Sequence, residues 1–129
     1  IGSEETYAAL AARVAKSVVD REFDRAVLCC GTGQGVMMVA NKVPGIRAGL
    51  VNGPYAAERL ALSNDAQIVC VGAVDGYGKA QDLNAVEEWV SQYLGLKFDP
   101  QGRSAENVAA IDEVDERYRA EPAGGEVEE

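Results

Sequence analysis

The chain has 129 residues, of which 47% are hydrophobic and 6% aromatic, and carries a formal net charge of −9. That length suits one domain with a real core, and the aliphatic bias fits an α/β interior better than a β-sandwich. The acidic balance excludes the basic patch that a nucleic-acid surface needs, and no apolar run approaches the roughly 20 residues that span a bilayer.

The predicted elements follow in chain order. Tyr7, Leu10, Ala11, Val14 and Val18 recur at helical spacing and predict an amphipathic helix over about 4–20. A strand is expected over Arg25–Cys30, then a glycine-rich turn and a helix to about Lys42, stopped by Val43-Pro44-Gly45. Ile46–Val51 reads as a second strand, and Asn52-Gly53-Pro54 turns into a helix ending near Ser63. Gln67–Ala73 is a third strand, apolar enough to be covered on both faces. Asp75-Gly76-Tyr77-Gly78 reads as a loop. Leu83, Val86, Val90 and Tyr93 mark the next helix, and Val108, Ile111, Val114 and Tyr118 the last.

Eight acids and two arginines lie between Asp112 and Glu129, so six of the nine excess negative charges fall at this end. Residues 120–129 are expected to be an acidic, disordered tail. The order αβαβαβα predicts a parallel sheet with helices on both faces, an α/β/α sandwich. Three strands are few for that architecture, and the first helix follows no strand. The expectation is that leading strands are missing rather than that a partner subunit completes the layers.

The chemistry centres on Cys30-Gly31-Thr32-Gly33-Gln34-Gly35. Glycines let the backbone take positive φ and let a ligand approach closely. The helix that follows directs its unpaired N–H groups into the turn, which makes an anion cradle without a basic side chain. A thiol at the lip of that cradle is a candidate base, because a helix N-terminus lowers its pKa. Cys29, Cys30 and Cys70 show no zinc-ligand spacing, histidine is absent, and an odd thiol count suits the reducing cytoplasm. The turn also lacks the Gly-Lys-Ser/Thr ending of a nucleotide-binding P-loop.

The run Cys30–Gly35, continuing through Ala40-Asn41-Lys42-Val43-Pro44-Gly45-Ile46-Arg47-Ala48, resembles the ribose-5-phosphate isomerase type B and galactose-6-phosphate isomerase family. Pro54-Tyr55-Ala56-Ala57, Asn64-Asp65-Ala66 and Val71-Gly72-Ala73 follow in that family's order, so the likeness covers about 5–119. It implies a Rossmann-like three-layer α/β/α sandwich with a parallel sheet, dimeric or a dimer of dimers, with active sites at the subunit interface. It implies a single isomerase-like domain over 1–119 whose first β-α-β portion is missing, and with it an Asp-His pair that helps hold substrate.

The implied activity is interconversion of aldose and ketose phosphates through an enediolate, with no metal or organic cofactor. Cys30 then resembles the base, and Thr32 the loop hydroxyl near the sugar's ring oxygen. Gly31, Gly33, Gln34 and Gly35 form the anion loop, Asn64 resembles a substrate contact, and Arg103 matches the first of two phosphate-binding arginines. Two departures stand out: Ser63 occupies the place of a ring-opening histidine, and Asn107 that of the second arginine. A four-carbon sugar 4-phosphate cannot close a furanose through its phosphorylated hydroxyl, so it would not need that histidine. The competing readings are one subunit of a hetero-oligomeric isomerase and a non-catalytic domain that binds a phosphorylated metabolite.

For the other residues, structural roles compete. Thr32 can cap the following helix, Asn41 could reach the glycine loop but reads more plainly as a polar helix-end residue, and Asp65 reads as a cap or turn residue. Arg47 matches the family's Gly-Ile-Arg with no assigned role, and Cys29 and Cys70 read as structural thiols.

Overall fold

A computed structural model describes residues 4–120. The order is α1 (Tyr7–Val19), β1 (Ala26–Cys30), α2 (Gln34–Asn41), β2 (Ala48–Leu50), α3 (Pro54–Leu62), β3 (Ile68–Gly72), α4 (Leu83–Gly95) and α5 (Ala105–Ala120). Each predicted element is present, with strand ends trimmed by one or two residues. The expected tail lies, apart from Ala120, outside the described residues.

The three strands form a parallel sheet in the order β1-β3-β2. Register pairs Ala26 with Ile68 and Cys30 with Gly72 on one side, and Ala48 with Ile68 on the other. β3 is therefore central, and its five residues are all buried. On one face Leu28, Ile68 and Cys70 pack with Ala11, Ala15 and Val18 of α1 and Val36 and Ala40 of α2. On the other face Val51, Val69 and Val71 pack with α3 and α4, including Ala57, Leu60 and Tyr93. These are the three layers of an α/β/α sandwich. On β1 the second face departs from a strand covered on both sides: Val27 is 43% exposed and Cys29 is exposed. α3 and α4 lie over β2 and β3 and stop short of β1.

Local chemistry sets the ends of the helices. Thr6 accepts from the Ala9 N–H and starts α1, and Asp82 accepts from the Asn84 N–H and starts α4. Pro54 stands in the first turn of α3, where a missing N–H costs nothing. Asn41 ends α2 by donating to the Met37 and Ala48 carbonyls while accepting from the Ala48 N–H at 2.8 Å. Its amide thus welds the end of α2 to the start of β2 and does not reach the glycine loop.

Polar pins fix the amino end of the sheet. Arg25 donates to the Tyr93 and Leu96 carbonyls at 2.6 and 2.7 Å and stacks over the Tyr93 ring. The buried Tyr93 hydroxyl donates to the Ala66 carbonyl at 2.5 Å, and burial pushes that phenol well above its usual pKa. Replacing Tyr93 with Phe keeps the ring and strands the Ala66 carbonyl in the core. Urea unfolding of Tyr93→Phe should show a loss of about 1–3 kcal/mol with an unchanged m-value.

Candidate active site

β1 delivers Cys30 to the carboxyl end of the sheet, on the face that carries α1 and α2, and Cys29 to the opposite face. The chain then turns through Gly31–Gly33 into α2. Gly33 adopts φ +81°, a left-handed conformation that favours glycine, and a Cβ there would meet the Val71 carbonyl carbon at 2.8 Å. Gly72 is equally constrained, since its Cβ would lie 2.8 Å from the Thr32 backbone. Two further bonds, from the Ala73 N–H to the Cys30 carbonyl and from the Val74 N–H to the Gly31 carbonyl, anchor the loop to β3.

This geometry aims the loop at the sulfur. Burial alone would favour the neutral Cys30 thiol, but the backbone N–H groups of Val36, Gly33, Thr32 and Gly35 are directed at Sγ and outweigh it. The thiol is held below its ordinary pKa. The other two cysteines move the other way. Burial pushes Cys70 up to about 12, and burial together with the neighbouring Cys30 raises Cys29. Among the described residues, Cys30 is thus the one thiol whose pKa is shifted down.

Thr32 accepts from the Gln34 N–H at 3.3 Å, so its hydroxyl caps α2 while remaining at the surface. The Gln34 side chain is exposed beside it. Both line a cavity of about 510 Å³ at the carboxyl ends of the strands, together with Leu50, Asn52, Tyr77 and Gln81. Open α/β sheets take ligands in such crevices. Tyr7, which the sequence assigns to a helix face, is half-exposed and lies over Gly35, where an added Cβ would come within 2.6 Å of its ring. Gly31 has open space around it and carries no such constraint.

Asn64 and Arg103 are not part of this cluster. Asn64 lies between α3 and β3, at the amino end of the sheet. β3 separates it from Cys30 by roughly 13 Å of strand, at about 3.3 Å per residue. Asn64 lines a cavity of about 260 Å³ together with Arg47 and Ile111. Asp65 follows with φ +47°, a turn residue in left-handed conformation. Ser63 Oγ accepts from Arg59 Nε at 2.8 Å and is thereby committed to its own helix. Arg103 is exposed in the turn before α5, as is Asn107 one turn into it.

Sequence reasoning assigned no role to Arg47, and the structure makes it a hub. Its side chain is 14% exposed and donates to the Asn64 and Asp65 carbonyls and to Asp112. The signal was an arginine between apolar Ile46 and a strand, where a charge must be paired to be tolerated. A cavity of about 600 Å³ between α5 and Pro44–Arg47 also holds Asp112, Asp115 and Glu116 and is remote from the thiol. Among the described residues no three His, Cys, Asp or Glu side chains are grouped to hold a metal ion, and no helix is long and apolar enough to cross a membrane.

Comparison with known proteins bears on this geometry. A family model described as Ribose/Galactose Isomerase matches residues 2–111. The chain is 43% identical over 106 residues to D-erythrulose-4-phosphate isomerase 2 of Mycolicibacterium smegmatis, covering 82% of this chain and 66% of that protein. It is 37% identical over 114 residues to ribose-5-P isomerase B of Listeria innocua, covering 88% of this chain and 72% of the relative. The structure of ribose-5-phosphate isomerase B from Clostridium thermocellum superposes with a TM-score of 0.80 at 33% identity, over 92% of this chain and 78% of that one. The chain thus spans about two thirds to three quarters of the length of these proteins. With the family model matched from residue 2 to residue 111 and the sandwich shared, the chain belongs to the ribose/galactose isomerase family.

Proposed function

We propose that the protein is a cofactor-independent aldose–ketose isomerase of sugar phosphates, built as a single domain over residues 1–119. The observation that carries this reading is the place of Cys30 at the carboxyl end of β1, beside the Gly31–Gly33 turn and the first N–H groups of α2, which hold its thiol below the ordinary pKa. In the proposed step the thiolate removes the proton from the carbon next to the carbonyl. The C–H electron pair forms the enediol double bond, and the carbonyl π electrons move onto oxygen. The proton is then returned to the former carbonyl carbon while the hydroxyl proton on the other oxygen passes to the first oxygen, so the carbonyl moves one carbon along, the product is an isomer and nothing is consumed.

Negative charge passes from sulfur to the substrate oxygen within one ring of backbone donors. A fixed donor of this kind is worth about 10²–10³ in rate. Thr32 and Gln34 line the cavity of about 510 Å³, where the hydroxyls and phosphate of the substrate are proposed to lie.

A four-carbon sugar 4-phosphate is the proposed substrate class, ahead of ribose 5-phosphate. Three observations support this choice. Ser63 stands where the family has a ring-opening histidine, and its hydroxyl is engaged by Arg59. A four-carbon 4-phosphate is linear and needs no ring opening. The Mycolicibacterium relative is named for such a substrate.

Asn64 as a substrate contact and Arg103 as a phosphate ligand are proposed to serve the site of a second copy, in a homodimer or a dimer of dimers. The position of Asn64 at the other end of the sheet from Cys30, and of Arg103 in the turn before α5, outside the cavity that Thr32 and Gln34 line, supports a shared site. Reduced thiols and the substrate class fit the cytoplasm.

Two experiments test these readings. Cys30→Ser should lower turnover of erythrulose 4-phosphate by about 10²–10⁴. In the parent chain, iodoacetamide should label Cys30 with a pH midpoint below that of a free thiol, because the lowered pKa keeps the thiolate present at lower pH, and Cys70 should stay unlabelled. Labelling of Cys30 only above the free-thiol midpoint would remove it as the base.

The shared site is tested by mixing two inactive variants, Cys30→Ala and the double variant Asn64→Ala/Arg103→Ala. Random reassociation puts one intact site in half of the dimers, so about a quarter of the wild-type rate should return. No recovery after verified exchange would place the whole site in one chain, or require an unlike partner.

A further inference from the structure

Arg47 is tied to more partners than its place at the start of β2 requires. Its Nε donates to the Asn64 and Asp65 carbonyls, each at 3.1 Å. Its Nη2 donates to the Asp65 carbonyl at 2.8 Å and reaches the Asp65 carboxylate at 3.3 Å. Its Nη1 donates to Asp112 of α5 at 2.6 Å. The backbone around it is fastened as well. The Arg47 N–H donates to Gln67 Oε1 at 2.7 Å, and Gln67 Nε2 donates back to the Gly45 carbonyl at 2.9 Å.

The fork therefore joins two segments that share little else. One is the turn holding Asn64, which lines a cavity beside Arg47. The other is α5, which begins directly after the turn holding Arg103. α5 buries Val108 but leaves Ile111, Val114 and Tyr118 exposed, so apolar packing alone does not fix its position. Polar contacts do: Arg47 to Asp112, the Gly45 N–H to Asp115 at 2.8 Å, and Arg119 to the Asn41 carbonyl at 3.2 Å.

The geometry points to Arg47 as a positioning residue for the isomerase reaction, one that locks the Asn64 turn and α5 into a single unit so that Asn64 is presented in fixed register. This rests on the proposed use of Asn64 across the subunit boundary. Arg47 touches no substrate; it acts through the backbone of Asn64 and through Asp112. A planar guanidinium is needed, because one point charge cannot serve two carbonyls and a carboxylate in different directions.

The test is a double-mutant cycle on the full chain, with erythrulose 4-phosphate and ribose 5-phosphate as probes. Asn64→Ala and Arg47→Lys should each lower kcat/KM at least about tenfold, the scale of losing one buried polar contact to a substrate. The double variant should be no worse than the poorer single variant, because a positioning residue has nothing left to position. The rate of Cys30 alkylation should be unchanged in Arg47→Lys, which a general loosening of the fold would not allow.

Costs that multiply, wild-type kinetics in Arg47→Lys or Asn64→Ala, or a parallel change in alkylation would overturn the proposal. If Arg47→Lys does not fold, Asp112→Asn takes its place: it keeps an acceptor but weakens the tie to α5. It should cost about threefold in kcat/KM, again without effect in the Asn64→Ala background, and wild-type kinetics there would overturn the proposal. If the parent chain turns over neither probe while Cys30 labels as a low-pKa thiol, the functional reading falls and takes this inference with it. Additive costs in an active enzyme remove this inference alone.

Discussion

The direction in which the first N–H groups of α2 point constrains most of the molecule. They converge on Cys30 Sγ only because Gly33 can take a positive φ and because β3 leaves no room for a Cβ at Gly33 or Gly72. β3 can approach the loop so closely because it is the central strand, buried throughout and paired on both sides. The sheet order, the glycines and the lowered thiol pKa are thus consequences of one packing arrangement. A larger side chain at either glycine would push the loop away from the sulfur and undo the electrostatics along with the packing.

The two ends of the sheet are built on different principles. At the carboxyl end, backbone N–H groups carry the electrostatics without a cationic side chain in the thiol loop. A fixed dipole there has no counterion to desolvate and no rotamer to lose. At the amino end, arginines tie down carbonyls: Arg25 those of Tyr93 and Leu96, Arg47 those of Asn64 and Asp65. Charge-assisted bonds to carbonyls are strong for their number, which suits the joining of segments far apart in sequence. The division matches what each end is asked to do: one keeps a reactive group accessible, the other keeps distant segments in register.

What was legible in the sequence is what is encoded locally. The Cys30–Gly35 loop is recognisable because glycine spacing dictates backbone conformation directly, and the helices because their apolar spacing does. β3 was legible from its unbroken apolar run. The role of Arg47 was not, because its partners lie 17, 18 and 65 residues further along the chain. The exposed faces of Val27 and Cys29 were not legible either, since an apolar strand reads the same whether its helical cover extends over it or stops one strand short. Tyr7 shows the same limit: its spacing fits a buried helix face, yet it lies half-exposed over Gly35 because the loop, and not the sheet, is what it meets.

The strand order also governs when the fold can exist. β1 and β2 are not neighbours in the sheet, and among the described residues each pairs with β3, the last of the three strands. During synthesis, neither of these two pairings can form until Ile68–Gly72 has left the ribosome. α1 and α2, which pack against each other, can associate before then. The thiol cradle depends on β3 for its shape, so the reactive character of Cys30 emerges only at the moment the sheet closes. A chain interrupted before β3 would carry the same cysteine as an ordinary, unactivated thiol.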